Sequence, residues 1–134
     1  MAKVTGIGGV FIRSTQDKKA LADWYRDNLG LKFEDWGGSI INWKDDEQVD
    51  GGMTVWSTAA PDSKWFAPSE SSFMINYRVD DLDALLVQLK ESGVTIVGDP
   101  QTDFNGKFAW VLDPDGNKVE LWEPLKADSG EEGS

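Results

Sequence analysis

Apolar residues recur at helical spacing in two parts of the chain. The first helix is predicted to have an apolar face formed by Leu21, Trp24, Tyr25 and Leu29. Ser14, Thr15 or Asp17 could cap its start, and Gly30 is placed to end it. The second helix repeats the pattern with Leu82, Leu85, Leu86 and Leu89, following Asp80 or Asp81 as its cap and ending at Gly93.

Short runs of branched and aromatic residues predict strands around both helices. In the first half these runs are residues 10–12, 31–33, 39–43 and 53–56, and in the second half they are 73–79, 94–97, 108–112 and 118–122. Both halves therefore have the order βαβββ. Gly30-Leu31 corresponds to Gly93-Val94, and Trp56 corresponds to Trp122, so we interpret the halves as a duplication.

The duplication predicts one α+β domain over residues 1–126. Module one covers about 4–58, a Ser-, Ala- and Pro-rich linker covers about 58–72, and module two covers about 73–124. The two βαβββ modules in tandem would form a curved, partly open mixed β-barrel with the helices outside. Residues 127–134 form an acidic tail that we expect to be disordered.

Strand alternation predicts which side chains face the concave side of this sheet. Val10, Ile12, Tyr77 and Leu121 would pack against the helices. The predicted ligand-binding residues are Phe11, Thr54, Trp56, Met74, Asn76, Trp110, Glu120 and Trp122. Of these, Trp56, Trp110 and Trp122 would form an aromatic cage or a stacking surface, with core packing as the alternative.

Composition excludes several classes of function. The chain has 13 Lys and Arg against 24 Asp and Glu, a net charge of −11, which disfavours nucleic acid as a partner. With neither cysteine nor histidine it has no disulfide, no thiolate and no Ser–His or Cys–His nucleophile. The sequence has no apolar run long enough to span a membrane, and its first residues lack the apolar core of a signal peptide, so the cytoplasm is the expected location.

Four segments resemble one known family. The most specific is the closing hairpin Phe108–Trp122, with the turn Asp113-Pro-Asp-Gly-Asn117, and Gly6–Phe11, Trp24–Leu31 and Val79–Leu85 support it. The chain resembles the vicinal oxygen chelate superfamily, which includes glyoxalase I, extradiol dioxygenases and bleomycin-resistance proteins. The resemblance implies the glyoxalase/bleomycin-resistance fold from about Val4 to Pro124.

Metal-dependent members of that superfamily hold a divalent ion with four side chains, usually His, Gln or Glu. The matching positions in this chain are Gly9, Thr54, Met74 and Glu120, of which only Glu120 is a credible ligand. We therefore expect no metal and no other cofactor. Glu120 would instead act as a general base or bind a ligand, unless it is a structural carboxylate paired with Lys118, Arg13 or Arg78.

Three functions compete on these grounds. The leading hypothesis is a metal-free protein of the bleomycin-resistance type that sequesters a small aromatic or cationic ligand. The alternative is a glyoxalase-like lyase or isomerase that uses Glu120 as metal ligand or general base, and the third is an interaction module with a vestigial pocket. A homodimer is expected, since an open barrel leaves strand edges exposed.

Overall fold

The computed structural model describes residues 7–47 and 52–125. Its elements are α1 (Lys18–Leu29), α2 (Trp43–Asp46), β1 (Ile75–Arg78), α3 (Leu82–Glu91), β2 (Gln101–Asp103), β3 (Gly106–Leu112) and β4 (Lys118–Pro124). The predicted acidic tail 127–134 and the first residue of the Gly6–Phe11 motif lie outside the described residues.

Both predicted helices form, and short polar side chains start them. The Asp17 carboxylate accepts hydrogen bonds from the backbone N–H groups of Lys19 and Ala20 at the start of α1, and Asp81 caps α3 in the same way. Gly30 and Gly93 follow the two helices with the same left-handed φ of 77°, which a residue with a Cβ adopts only at a cost. The equivalent stops agree with the predicted duplication.

The four strands form one curved, unclosed sheet in the order β1-β4-β3-β2. β1 is parallel to β4, whereas β4 and β3, and β3 and β2, are antiparallel. The chain is therefore a mixed α+β protein, as predicted. Beyond the predicted strands, β2 adds a short edge strand after Pro100, and Ile96 lies beside β3 through a single bridge to Val111. Pro100 lacks an N–H group, which explains why the segment 94–103 pairs in two pieces.

The core lies between one face of the sheet and the helices α1 and α3. Alternation along β3 and β4 directs every second side chain into this core, and the helices add their apolar faces. The buried apolar residues are Leu21 and Tyr25 of α1, Leu82, Leu86 and Leu89 of α3, and Ala109, Val111, Val119 and Leu121 of the sheet. Ile12 and Tyr77 pack on this core as the sequence predicted, but Val10 is 57% exposed, so its predicted packing against the first helix is wrong.

The strands predicted in the first half differ from the structure. Residues 10–12 and 53–56 are not strands, Phe33 and Ser39 form a single bridge, and Trp43 begins the short helix α2. An extended segment becomes a strand only when a neighbour takes its backbone hydrogen bonds. Among the described residues the sheet provides no such neighbour for the first half, so its apolar runs form no strand and pair only at the bridge between Phe33 and Ser39.

The turn between β3 and β4 ties the sheet to α1 through one buried carboxylate. Asp113 Oδ2 accepts from the Tyr25 hydroxyl at 2.8 Å and from Asn117 Nδ2 at 2.9 Å. Its Oδ1 accepts from the backbone N–H groups of Asp115 and Asn117, both at 2.9 Å. Four donors therefore compensate for the burial of this charge, which would otherwise be costly.

Three further hydrogen bonds connect the turn to distant segments. The Asp115 carboxylate accepts from the Ser14 hydroxyl at 2.9 Å and from the Thr15 backbone N–H at 2.8 Å, just before α1. The Ser71 hydroxyl donates to Asn117 Oδ1 at 2.6 Å, which fixes the end of the predicted linker. The predicted hairpin turn therefore also connects the sheet to the segment before α1 and to the end of the linker.

None of the helices in the described part of the chain has the length and apolarity needed to cross a membrane.

We predict that Asp113→Ala lowers the free energy of unfolding by about 3 kcal/mol or more, since it leaves buried donors without an acceptor. Tyr25→Phe removes one of those bonds and should cost about 1 kcal/mol. Urea unfolding of both variants measures the two losses. Equal, small losses would contradict the central role of the carboxylate.

Alkaline pH should destabilise the fold through two core tyrosines. Burial, reinforced by the negative charge of Asp113, raises the pKa of Tyr77 to about 12, and burial also raises the pKa of Tyr25. A raised folded pKa gives stability that is present below about pH 10 and is lost as the pH rises through the folded value. We therefore expect the free energy of unfolding to fall between pH 10 and pH 12. In Tyr77→Phe that fall should be shallower, and an identical slope in both proteins would refute the assignment.

Candidate ligand-binding site

The face of the sheet opposite α3 carries a set of polar and aromatic side chains. Strand register aligns them in two rows across β1, β4 and β3. The first row is Asn76, Glu120 and Trp110, and the second is Arg78, Trp122 and Phe108. Their neighbours along each strand, such as Leu121 and Ala109, point into the core. This face is therefore the candidate site.

Three rings lie side by side on this face and form what we call the aromatic row: Phe108, Trp110 and Trp122. The Phe108 and Trp122 rings are 5.9 Å apart between centroids and only 4° from parallel. Phe108 and Trp110 are 6.5 Å apart and 14° from parallel. The Trp122 indole is further fixed by a 2.8 Å hydrogen bond from Nε1 to the carbonyl of Asn105. These parallel rings stack against one another and together form a rigid aromatic patch on which a further ring can pack.

Glu120 lies beside the aromatic row with only 7% of its surface exposed. Its Oε2 accepts from Trp110 Nε1 at 2.9 Å, and its Oε1 accepts from Asn76 Nδ2 at 2.7 Å. Both donors are neutral, so they orient the carboxylate without cancelling its charge. A carboxylate accepts about four hydrogen bonds, which leaves acceptor capacity for a ligand.

Lys118 precedes Glu120 by two residues on β4 and is almost buried. Its Nζ donates to the carbonyl of Trp65 at 2.7 Å and lies 5.7 Å from the centroid of the Trp110 ring. Burial lowers the pKa of Lys118, and the nearby charge of Glu120 partly opposes that effect. An amine thus lies at one end of the site and a carboxylate further along it.

Arg78 connects this face to the first half of the chain. Its guanidinium forms an ion pair with Asp46, with Nε 3.1 Å from Oδ1, and also donates to the carbonyl of Met53. The charge of Arg78 is therefore directed at Asp46. The hydrogen bonds recorded for Glu120 come from Asn76 and Trp110, and the alternative of a structural pair with Arg78 has no support in these contacts.

Four of the eight predicted ligand-binding residues come together at this site: Asn76, Trp110, Glu120 and Trp122. Met74 precedes β1 and is half-buried. Phe11, Thr54 and Trp56 lie on unpaired segments, with Phe11 97% and Trp56 78% exposed. Trp56 forms no recorded ring contact with Trp110 or Trp122, so the predicted three-tryptophan cage remains a prediction.

Sequence reasoning left three residues of this face out of the site. Phe108 was assigned to a strand only, although its position two residues before Trp110 places both rings on one face. Arg78 and Lys118 are predicted from the sequence only as possible structural partners of Glu120. Lys118 is distinguished by its hydrogen bond to the carbonyl of Trp65, which is distant in the sequence. No sequence pattern predicts that contact.

The family's metal-binding positions do not fit a divalent ion in this chain. Gly9 has no donor atom in its side chain, a thioether at Met74 suits soft ions, and Thr54 offers a neutral hydroxyl. Glu120 is the single carboxylate among the four positions, whereas a catalytic metal site uses three or more protein ligands. The described residues contain no group of three or more His, Cys, Asp or Glu side chains able to hold a metal.

Comparison with protein families identifies the chain. The model of the Glyoxalase/Bleomycin resistance protein/Dioxygenase superfamily matches residues 9–121. The chain belongs to this superfamily. The resemblance found in the sequence is therefore confirmed, whereas no curated protein matches the chain.

Solved structures agree with this fold. TnmS3, an antibiotic binding protein from Streptomyces sp. CB03234, is 23% identical, with a TM-score of 0.54 over 91% of this chain and 100% of its own. A protein of unknown function from Agrobacterium tumefaciens str. C58 is 19% identical, with a TM-score of 0.53 over 89% of this chain and 98% of its own. At these identities the likeness establishes the fold alone.

Other matches are partial. A glyoxalase/bleomycin resistance protein from Streptomyces sp. CB03234 is 38% identical, with a TM-score of 0.35, over 39% of this chain and 46% of that one. The chain spans less than half the length of four of the solved structures it matches, from 37% to 47%.

Proposed function

We propose that the protein is a metal-free binding protein that sequesters a small aromatic or cationic molecule on the aromatic row beside Glu120. The observation that carries this proposal is the Glu120 carboxylate, which is nearly buried, held by two neutral donors and bordered by a row of stacked rings. Such a site offers stacking and a fixed acceptor, which together bind and orient a planar ligand. We further propose that the protein acts in the cytoplasm, with which its cysteine-free composition is compatible.

The donor chemistry of the site favours binding over metal-assisted catalysis. Among the four matching positions only Glu120 is a good ligand for a divalent ion, fewer than the three protein ligands that a catalytic metal site uses. A binding role needs only the rings and the acceptor. One neighbour of the same fold, TnmS3, is an antibiotic binding protein, which is a role of the same class.

We expect planar aromatic molecules to bind the wild-type protein in titration calorimetry. The panel is proflavine, a planar cation; 2-naphthol, an uncharged planar donor; and choline, a cation without a ring. Phe108→Leu interrupts the aromatic row and should weaken the planar ligands about tenfold, since a stacked ring contributes on the order of 1 kcal/mol beyond its buried area.

Phe104→Leu is the matched control, because Phe104 is 86% exposed at the β2–β3 turn, outside the aromatic row. It should leave all affinities unchanged. Absence of binding by the whole panel would contradict the proposal. So would a stoichiometric transition metal in the purified protein by elemental analysis, which would favour the lyase or isomerase alternative.

We also propose that two copies of the chain form a homodimer through the first half. More large apolar side chains are exposed there than the single, scattered ones that are normal on a protein surface. They are Val10, Phe11, Trp36, Ile40, Ile41, Trp43, Met53, Val55 and Trp56. β1 is an edge strand, so its outer side has backbone groups available for a further strand. A second copy offers both an apolar cover and pairing partners, and symmetric self-association is the commonest arrangement of such surfaces.

Light scattering coupled to size exclusion should therefore give twice the chain mass of 14.8 kDa. The double variant Phe11→Ser and Trp56→Ser, which removes two of the most exposed rings, should shift the protein toward the monomer. Phe104→Ser removes an equally exposed ring from the opposite half and should leave the dimer intact. A wild-type monomer at working concentration would refute the assembly while leaving the binding proposal in place.

A further inference from the structure

Lys118 and Glu120 place opposite charges along one line of the candidate site. They are two residues apart on β4, so both side chains rise from the same face with their Cα atoms about 6 to 7 Å apart. The Trp110 indole touches both, since its Nε1 bonds Glu120 and its ring lies 5.7 Å from Lys118 Nζ. The ring is therefore bordered by an acid and an amine.

Both charged groups retain hydrogen-bonding capacity. An ammonium has three donors, and the recorded bond of Lys118 to the Trp65 carbonyl uses one. Glu120 accepts from Trp110 and Asn76, which uses two of about four acceptor sites. Within residues 7–47 and 52–125 the ion pairs involve other residues, so neither group is neutralised by a close partner.

The position of Lys118 disfavours a ligand that is only a cation. The face of Trp110, which would attract such a ligand, already has the Lys118 ammonium above it, and a second positive charge there would be repelled. The net charge of −11 acts at longer range and is screened over about 8 Å at physiological salt. The ammonium of Lys118 therefore favours a negative charge on the ligand at that end of the Trp110 ring.

We propose that the ligand is a flat aromatic molecule with an anionic or carbonyl acceptor at one end and a hydrogen-bond donor at the other. The acceptor would meet Lys118, the donor would meet Glu120, and the ring would lie along the aromatic row. This inference rests on the proposed function and narrows its ligand class from aromatic or cationic to aromatic and amphoteric.

The environment of the amine supports this orientation. Burial lowers the pKa of Lys118, which means that the protein surroundings do not fully stabilise its positive charge. An incoming carboxylate or polarised carbonyl supplies the missing acceptor. At the other end, Glu120 has acceptor sites beyond those that Asn76 and Trp110 use, so it favours a phenolic or amino N–H or O–H donor.

Titration calorimetry with three simple probes tests the inference. 4-Aminobenzoate carries both groups at opposite ends of one ring, benzoate carries only the acceptor, and aniline carries only the donor. We expect 4-aminobenzoate to bind at least tenfold more tightly than either single-group probe, since each charge-assisted bond contributes on the order of 1.5 kcal/mol or more.

Two variants assign the ends. Lys118→Met should remove the advantage of 4-aminobenzoate over aniline, whereas Glu120→Gln should remove its advantage over benzoate. Lys107→Met and Glu91→Gln are the matched controls, because Lys107 pairs with Asp83 and Glu91 ends α3 on the other side of the sheet. Both controls should bind all three probes like the wild type. If circular dichroism shows that Lys118→Met does not fold, it is replaced by Lys118→Gln, which keeps a donor for the Trp65 carbonyl.

The outcomes separate this inference from the function it rests on. If proflavine or 2-naphthol binds but 4-aminobenzoate shows no advantage over aniline and benzoate in the wild type, the amphoteric ligand class is wrong and the binding function stands. If no aromatic probe of either panel binds, the proposed function itself fails. An advantage that survives in Lys118→Met also overturns the inference.

Discussion

The buried carboxylate of Asp113 is the contact on which the arrangement of the described chain depends. It closes the β3–β4 turn by accepting two backbone N–H groups, and it joins that turn to α1 through Tyr25. The register of the hairpin follows from the turn, and the register sets Trp110 opposite Glu120 and Phe108 opposite Trp122. A shift of one residue would send these side chains into the core and the core residues out. The candidate site therefore depends on a contact in the turn at the end of the β3–β4 hairpin.

The two faces of β4 show how one strand serves two roles. Val119 and Leu121 are buried against the helices, while Lys118 and Glu120 are buried on the opposite face with hydrogen bonds of their own. Burying charged groups is costly unless they are solvated by protein donors and acceptors. The indole of Trp110, the amide of Asn76 and the carbonyl of Trp65 fulfil that need while leaving sites for a ligand. The same contacts explain why this face is not simply a second core.

The first half of the chain has the apolar pattern of sheet strands, but its described residues form no strand. Its helix α1 packs on the core as its counterpart α3 does, yet Phe11, Trp43 and Trp56 remain exposed. A helix satisfies its own backbone, so α1 forms from local sequence and one apolar face. Strands need partners, and the segments around α1 find none among the described residues. Membership of the superfamily fixes the fold class. In our proposal these exposed side chains are covered when more than one chain assembles.

The sequence alone determined the features that depend on local spacing. The apolar faces of both helices, the glycine stops and the hairpin turn were predictable, because neighbouring residues encode them. The sequence narrowed the caps to a few polar residues, and the structure selects Asp17 and Asp81 from them. Alternation also placed Asn76, Trp110, Glu120 and Trp122 on one face of the sheet. Tertiary structure decided which partners these groups meet, namely Tyr25 for Asp113, Trp65 for Lys118 and Asp46 for Arg78. Those pairs join positions 32 to 88 residues apart, and no local pattern records a contact made only when the chain has folded.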